Sequence, residues 1–175
     1  VADGGVATES GSASPNDIVR EAVEREEARV ERLMTKDDGI QHSVVRDEIQ
    51  ETMTEHVNVF REEEGLEQAL ADIRQAREDY QHVQVSDPSR TFNTDLIHTI
   101  ETRNIIDLAE AITLGALARD EFRGAHWRAE HRERDDENWL KHTLLSWNEG
   151  DPELWYRPVV LEGQDKKYEP KIRSY

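Results

Sequence analysis

The chain has 175 residues, enough for one domain with its own core, and carries 39 acidic against 22 basic residues, a formal net charge of −17. Such a field repels nucleic acid and anionic membrane surfaces, which removes both as direct partners. With no cysteine, a disulfide framework, a thiolate zinc site and a cysteine nucleophile are all excluded.

Val1–Ala13 is Gly, Ser and Ala with two acids and reads as a flexible linker to something upstream. It has no apolar run of the kind a signal peptide needs, and the first residue is Val rather than Met, as expected of a fragment or processed chain. Ser14-Pro15-Asn16-Asp17 is a helix start: Ser14 caps, Pro15 suits the first helical position, and Asp17 sits at the positive end of the dipole. Ile18, Val19, Ala22, Val23, Val30 and Leu33 form one apolar stripe, which Thr35–Gly39 breaks. A second helix is expected from about Val44 to Arg61, with Val45, Ile49, Met53, Val57 and Phe60 at three- and four-residue steps and Glu62–Gly65 closing it. The third has the cleanest period, through Leu66, Ala69, Leu70, Ile73, Ala76, Tyr80 and Val83. The fourth starts after Asn93 or Thr94 and runs through Ile97, Ile100, Ile105, Leu108, Ala111, Ile112 and Leu117. Its apolar content is the highest of the four, so it is expected to be the most buried.

After Gly124 the helical pattern stops. Lys141–Trp147 and Glu153–Val160 read as strands of a hairpin with a longer loop, Asn148–Pro152, followed by polar Glu162–Glu169 and an extended tail from Pro170 to Tyr175. The expected fold is mainly α, a three- to four-helix bundle with a C-terminal β-hairpin and tail. The expected layout is a linker (1–13), a bundle (14–124), and an Arg/His/Trp-rich loop, hairpin and tail packed on it (125–175). No apolar run reaches the roughly 20 residues that cross a bilayer. Among the bases Arg far outnumbers Lys. An acid-rich, Lys-poor folded surface resembles proteins of organisms that hold high salt in their cytoplasm, where counterions screen self-repulsion.

Chemistry-bearing residues concentrate between Arg119 and His142. Arg119, Arg123, Arg128, Arg132 and Arg134 alternate with more numerous acids, among them Glu121, Asp135 and Asp136. That pattern predicts an ion-pair network bracing a helix end and loop rather than a basic patch. His126, His131 and His142 lack the spacing of a helical two-histidine metal site, and hydrogen bonding within or between domains is the expected role of His126 and His142. Gly124 suits a left-handed helix C-cap. Trp127, Trp139, Trp147 and Trp155 either form a small core under the hairpin or face a partner domain. No phosphate-cradling glycine loop, dinucleotide fingerprint or nucleophile elbow is present.

The run Arg119-Asp-Glu-Phe-Arg-Gly-Ala-His126-Trp-Arg128, then Arg134-Asp-Asp-Glu-Asn-Trp139-Leu-Lys-His142, resembles the closing motif of the C-terminal helical domain of succinate dehydrogenase and fumarate reductase flavoproteins. His56–Arg61, Phe92-Asn93, Asn138–Thr143, Tyr156–Pro158 and the terminal Ile172-Arg173-Ser174-Tyr175 resemble further signatures of that family, in the family's order. The tail favours the succinate dehydrogenase branch over L-aspartate oxidase, while Phe122 departs from the family's usual Ser. The resemblance implies a structural C-terminal domain whose parent oxidises succinate to fumarate and sends electrons through FAD to an iron–sulfur subunit. It also implies that the covalently held FAD, the dicarboxylate pocket and the proton-delivering arginine lie in preceding domains. No catalytic, cofactor or metal residue is then expected here. Arg119, Glu121, Arg123, Gly124, His126, Arg128, Asp135, Asp136, Trp139, His142, Arg173 and Tyr175 are the expected interdomain or structural set. The implied partners are the flavin-binding and capping domains, the iron–sulfur subunit and membrane anchor subunits, with the parent peripheral on the cytoplasmic face of the membrane. The alternatives are the same domain of L-aspartate oxidase or a soluble fumarate reductase, and a free-standing helical interaction module.

Overall fold

The structure, a computed structural model, describes residues 14–147, 152–162 and 170. The linker, the loop at 148–151 and the tail at 163–169 and 171–175, with Arg173 and Tyr175, lie outside them. Helix α1 spans Pro15–Thr35 and α2 spans His42–His56, with the two-residue strand β1 (Ile40–Gln41) between them. Strand β2 (Phe60–Arg61), helix α3 (Glu63–Tyr80), strand β3 (Val83–Gln84) and helix α4 (Thr94–Ala118) follow. The chain then forms β4 (Trp127–Arg128), the short helix α5 (Asp136–Trp139) and the hairpin β5 (Lys141–Trp147) and β6 (Pro152–Pro158).

Two helix starts obey local chemistry. The Ser14 hydroxyl accepts from the Asp17 amide at 3.3 Å with Pro15 at the first position, and the Asn93 side chain accepts from the Leu96 amide at 2.8 Å. The expected second helix overran. Helix α2 stops at His56, Val57 turns out of it, and Phe60 lies 72% exposed in β2, paired in parallel with Trp127. Glu63–Gly65 opens α3 instead of closing α2, and Val83 pairs with Ile40 beyond the end of α3. β1 lies so close to β3 that a Cβ on Gly39 would stand 2.4 Å from the His82 carbonyl oxygen.

The bundle is made of three helices, α2, α3 and α4. Val45, Ile49, Ile73, Ala76, Tyr80, Ile106 and Ala109 form one core with Val83, and Val57, Leu66, Ala69 and Ala116 a second, with Met53 packed against both. One expectation about burial fails and the other holds, for α4 does carry the largest set of buried residues of the four helices, though not through the residues its apolar run suggested. Of the α1 stripe only Leu33 is buried, while Ile18, Val19 and Val23 are at least half exposed. Helix α4 turns Thr99, Thr102, Glu110 and Thr113 inward and leaves Ile97, Leu108 and Ile112 half exposed or more. The inward face is polar in part, beside Ile106, Ala109 and Ala116, where α3 presents polar groups to it. Arg77 donates to Glu110 at 2.6 Å and to Asp107 at 2.5 Å, and the Tyr80 hydroxyl donates to the Thr99 carbonyl at 2.9 Å. No helix among the described residues is long and apolar enough to cross a membrane.

A compact body with net charge −17 repels itself, and at 1 M salt the screening length falls to about 3 Å. Molar KCl is therefore expected to add about 1–2 kcal/mol, or about 2–8 °C in melting temperature at this size. Thermal melts at low and molar KCl check this, and equal midpoints contradict it.

Candidate functional site

Helix α4 ends at Ala118, leaving carbonyls without intrahelical partners. The pairing of β2 with β4 sets Arg61 opposite Arg128 and carries the Arg128 guanidinium beneath that end. Only 1% exposed, it donates to the Ala116 and Leu117 carbonyls at 3.2 and 3.0 Å and to Glu130 at 3.2 Å. Its positive charge faces the negative end of the helix dipole.

Beyond the helix end the chain converges on Glu121, whose side chain is fully buried. Arg123 donates to both of its oxygens, at 2.7 and 2.9 Å, the Asp135 amide donates to Oε2 at 3.0 Å, and Arg119 donates to Oε1. The same Arg119 reaches the carbonyls of Trp139 and Lys141 at 3.0 and 2.7 Å and the Thr143 hydroxyl at 3.2 Å, which ties α4 to the hairpin. Its guanidinium lies 5.1 Å from the centre of the Trp139 ring, itself edge-on to Tyr156. Arg123 also binds Asp136 at 2.8 Å, and Arg134 donates to the same carboxylate at 2.7 Å. Arg134, followed by Arg123, holds the Asp136 carboxyl down to about 2 from an ordinary 3.8. Asp135 caps α5 by accepting from the Asn138 amide at 2.9 Å.

Gly124 has the positive φ of 61° expected of it, but not as a helix cap. Arg123 and His126 exchange backbone hydrogen bonds of 3.0 Å, so Gly124-Ala125 is the two-residue turn of a tiny hairpin. Positive φ at its first residue alone is the requirement of a type II′ turn, which glycine meets without strain. The turn swings His126 back so that its Nε2 lies 2.9 Å from the Arg119 carbonyl and its Nδ1 2.7 Å from Arg61. A carbonyl only accepts and a guanidinium only donates. The ring is therefore neutral, with the proton on Nε2.

Burial pushes the His126 pKa below its ordinary 6.5; the Arg119 carbonyl opposes this, and the nearby Arg61, Arg128 and Arg119 charges reinforce it. The unfolded chain then binds more protons than the folded one, so stability falls as pH drops below about 6.5 toward the depressed folded value. One such site gives a slope of at most about 1.4 kcal/mol per pH unit. Denaturation midpoints between pH 7.5 and 5.5 are expected to fall less steeply in His126→Gln than in the parent chain. Parallel profiles contradict the assignment.

The structure thus gathers Arg119, Glu121, Arg123, Asp135, Asp136 and Trp139 into one network, with His126 at its edge and Arg128 under the helix end. His142 is exposed on β5, and His131 stands 3.6 Å from Asp120, so the three histidines do not converge. Among the described residues no three His, Asp or Glu side chains are grouped to hold a metal ion. Arg134 joins Asp136 as the alternating charges predict, whereas Arg61, Lys141 and Thr143 lie outside the expected set, with only the Phe60-Arg61 dipeptide as a hint of the first. Trp127 packs edge-on against Phe60, while Trp147 and Trp155 are nearly half exposed, so the tryptophans do not share one core. Both Glu121 oxygens are taken up by Arg119, Arg123 and the Asp135 amide within the network. Beside it an open groove runs between α4 and the hairpin, lined by Leu108, Ile112, Leu144 and Leu154, with Arg119 and His126 at its end.

The family model described as "Fumarate reductase flavoprotein C-term" matches residues 46–175. The fumarate reductase flavoprotein subunit of Haemophilus influenzae is 39% identical over 149 residues, 85% of this chain and 24% of that protein. The mitochondrial succinate dehydrogenase [ubiquinone] flavoprotein subunit of rice is 37% identical over 161 residues, 90% and 26% of the respective lengths. Among solved structures, a variant of the E. coli quinol fumarate reductase flavoprotein FrdA superposes with a TM-score of 0.77 at 31% identity, over 94% of this chain and 29% of that one. The chain spans about a quarter of the length of the curated relatives it matches.

Proposed function

The chain belongs to the family of fumarate reductase flavoprotein C-terminal regions, and from that membership we propose that it is the structural C-terminal domain of a succinate dehydrogenase flavoprotein subunit. The parent reaction in this reading is oxidation of succinate to fumarate, with electrons passing through FAD to an iron–sulfur subunit. FAD and the dicarboxylate pocket belong to the preceding flavin-binding and capping domains. Arg119, Glu121, Arg123, Gly124, His126, Arg128, Asp135, Asp136 and Trp139 brace the surface that meets those domains, with His142; Arg173 and Tyr175, counted in the same set, lie outside the described residues. Solved neighbours described as quinol fumarate reductase and as the Mycobacterium smegmatis Sdh1 complex support iron–sulfur and membrane anchor subunits as the wider partners. In this reading the parent is a peripheral subunit at the cytoplasmic face of the membrane.

The observation that carries the proposal is the closed clamp around Glu121 next to an open apolar groove. The Glu121 carboxylate, with the Arg119 and Arg123 guanidiniums around it, is spent on holding 119–141 against α4. What remains free is a rigid rim with aliphatic surface, the composition of an interface and not of a reaction centre. The 175-residue chain by itself is expected to bind no FAD and to oxidise no succinate with artificial acceptors. A yellow chromophore co-purifying at near-equal stoichiometry would overturn the assignment.

A further inference from the structure

Helix α1 poses a problem that the bundle does not solve. It runs for 21 residues, yet only Leu33 is buried. Ile18, Val19 and Val23 are 56%, 62% and 50% exposed on one side of its first half. Most helical stability in proteins comes from packing an apolar face, and the Arg20–Asp17 and Arg29–Glu26 pairs are weak substitutes for it. Stable helix here calls for a cover over the apolar stripe.

A second feature lies at the other end of the same surface. The loop before α4 is tied to α1, because Arg90 pairs with Glu31 and the Asn93 side chain meets the Met34 sulfur at 3.8 Å. Between those anchors Phe92 is 95% exposed at a φ of 53°. A bulky residue in the left-handed region is uncommon and costs energy, and here the cost is spent on holding an aromatic ring in solvent. An exposed aromatic beside the Arg90 end of an apolar groove is the composition of an interface anchor. The groove along α1, through Val19, Ala22, Val23 and Val30, ends at Arg90.

We propose that the exposed face of α1, with Phe92 as its far anchor, is a docking surface for the preceding three quarters of the flavoprotein subunit, a second contact apart from the α4–hairpin surface. This rests on the structural-domain reading given above. Two observations select that occupant. The family match is to the C-terminal part of proteins about four times as long, so the missing body joins the chain ahead of α1 and is held beside its first turns at high effective concentration. Glu24 and Glu27 flank the groove without ion pairs among the described residues, so the complementary face is an apolar patch bordered by Arg or Lys.

The test is hydrogen exchange on the full-length flavoprotein subunit, wild type against Val19→Glu/Val23→Glu and against Phe92→Ser. These side chains are exposed in the structure, so the bundle keeps its fold in both variants. In the wild type, amides of residues 19–31 are expected to exchange at least ~100-fold slower than an unprotected helix, with Val19→Glu/Val23→Glu removing at least ~tenfold and Phe92→Ser less. Wild-type amides here exchanging at the unprotected rate would overturn the proposal, as would unchanged protection in the double variant. Protection that rises with subunit concentration would overturn it too, by assigning the surface to a second copy. Residues 119–142 report separately. Protection there without protection of α1 defeats this inference and leaves the structural-domain reading standing, whereas exposure of the α4–hairpin groove in the intact subunit defeats that reading itself.

Discussion

Glu121→Gln is expected to destabilise the chain by about 3–5 kcal/mol, a large share of the roughly 5–15 kcal/mol that holds a domain folded. The carboxylate is fully buried and neutralises Arg119 and Arg123, whose side chains are only 14% and 28% exposed. The amide fills the same space but brings no charge, and its NH2 group turns a donor toward the guanidinium or amide donors. Two cations then stay buried with half of their compensation gone, which is why breaking such a cluster costs far more than an exposed pair is worth. Arg119 keeps its carbonyl acceptors and Arg123 keeps Asp136, so the loss should fall first on residues 119–141 and only then on the bundle. Denaturant melts give the size, and hydrogen exchange across 119–141 gives the place. A change under about 1 kcal/mol would mean that solvent already compensates the two arginines.

Arg123→Ala provides a contrast. Its guanidinium is partly exposed, so water can hydrate Asp136, and Arg119 and the Asp135 amide still serve Glu121. The smaller loss in the chain alone should grow in the full-length subunit if this segment braces a domain contact, while correctly assembled enzyme keeps its turnover. Full FAD content with turnover reduced by orders of magnitude would place this segment at the reaction centre.

Much of this architecture is legible in the sequence where the governing chemistry is local. Ser14 and Asn93 announce their helices because capping needs only a side-chain oxygen and an amide two or three residues on. The period of α3 is legible because both cores take the same face of it. The end of α2 is not, since Val57 and Phe60 stay in helical phase although the chain has already left the helix to pair with β4. Strands of two residues carry no periodicity, and the partners that make them strands lie far along the chain. Helix α4 misleads for a different reason. Its inward face mixes Ile106, Ala109 and Ala116 with Thr99, Thr102, Thr113 and Glu110, while Ile97, Leu108 and Ile112, which the apolar run counted as core, face the other way. At the site the density of opposite charges predicts a network. Which acid becomes its buried centre depends on where Arg119, Arg123 and the Asp135 amide converge, and only the folded loop decides that. Gly124 illustrates both halves: its positive φ follows from residue type, but the turn it serves is set by His126 returning to Arg119.

Arg128→Met is expected to cost about 2–4 kcal/mol, less than Glu121→Gln although Arg128 is equally buried. The difference lies in what each replacement leaves behind. Removing Glu121 strands two cations, whereas removing Arg128 takes away the buried charge itself and with it the expense of keeping that charge out of water. What remains are the Ala116 and Leu117 carbonyls without their guanidinium donor, at about 1–3 kcal/mol for each one left dry, and a helix end without its opposing charge. Glu130 loses a partner too, but it is exposed and can turn to water. The loss should therefore appear as fraying of the last turn of α4 and loosening of the β2–β4 pair, with the α2–α3–α4 core unaffected. Arg128→Lys separates the two contributions. An ammonium retains the charge but offers no fork to span two carbonyls, so it should recover about half of the loss. Full recovery by lysine would assign the effect to charge against the helix dipole alone. A methionine variant within about 1 kcal/mol of the parent would show that water reaches those carbonyls, and that Arg128 does not hold the end of α4.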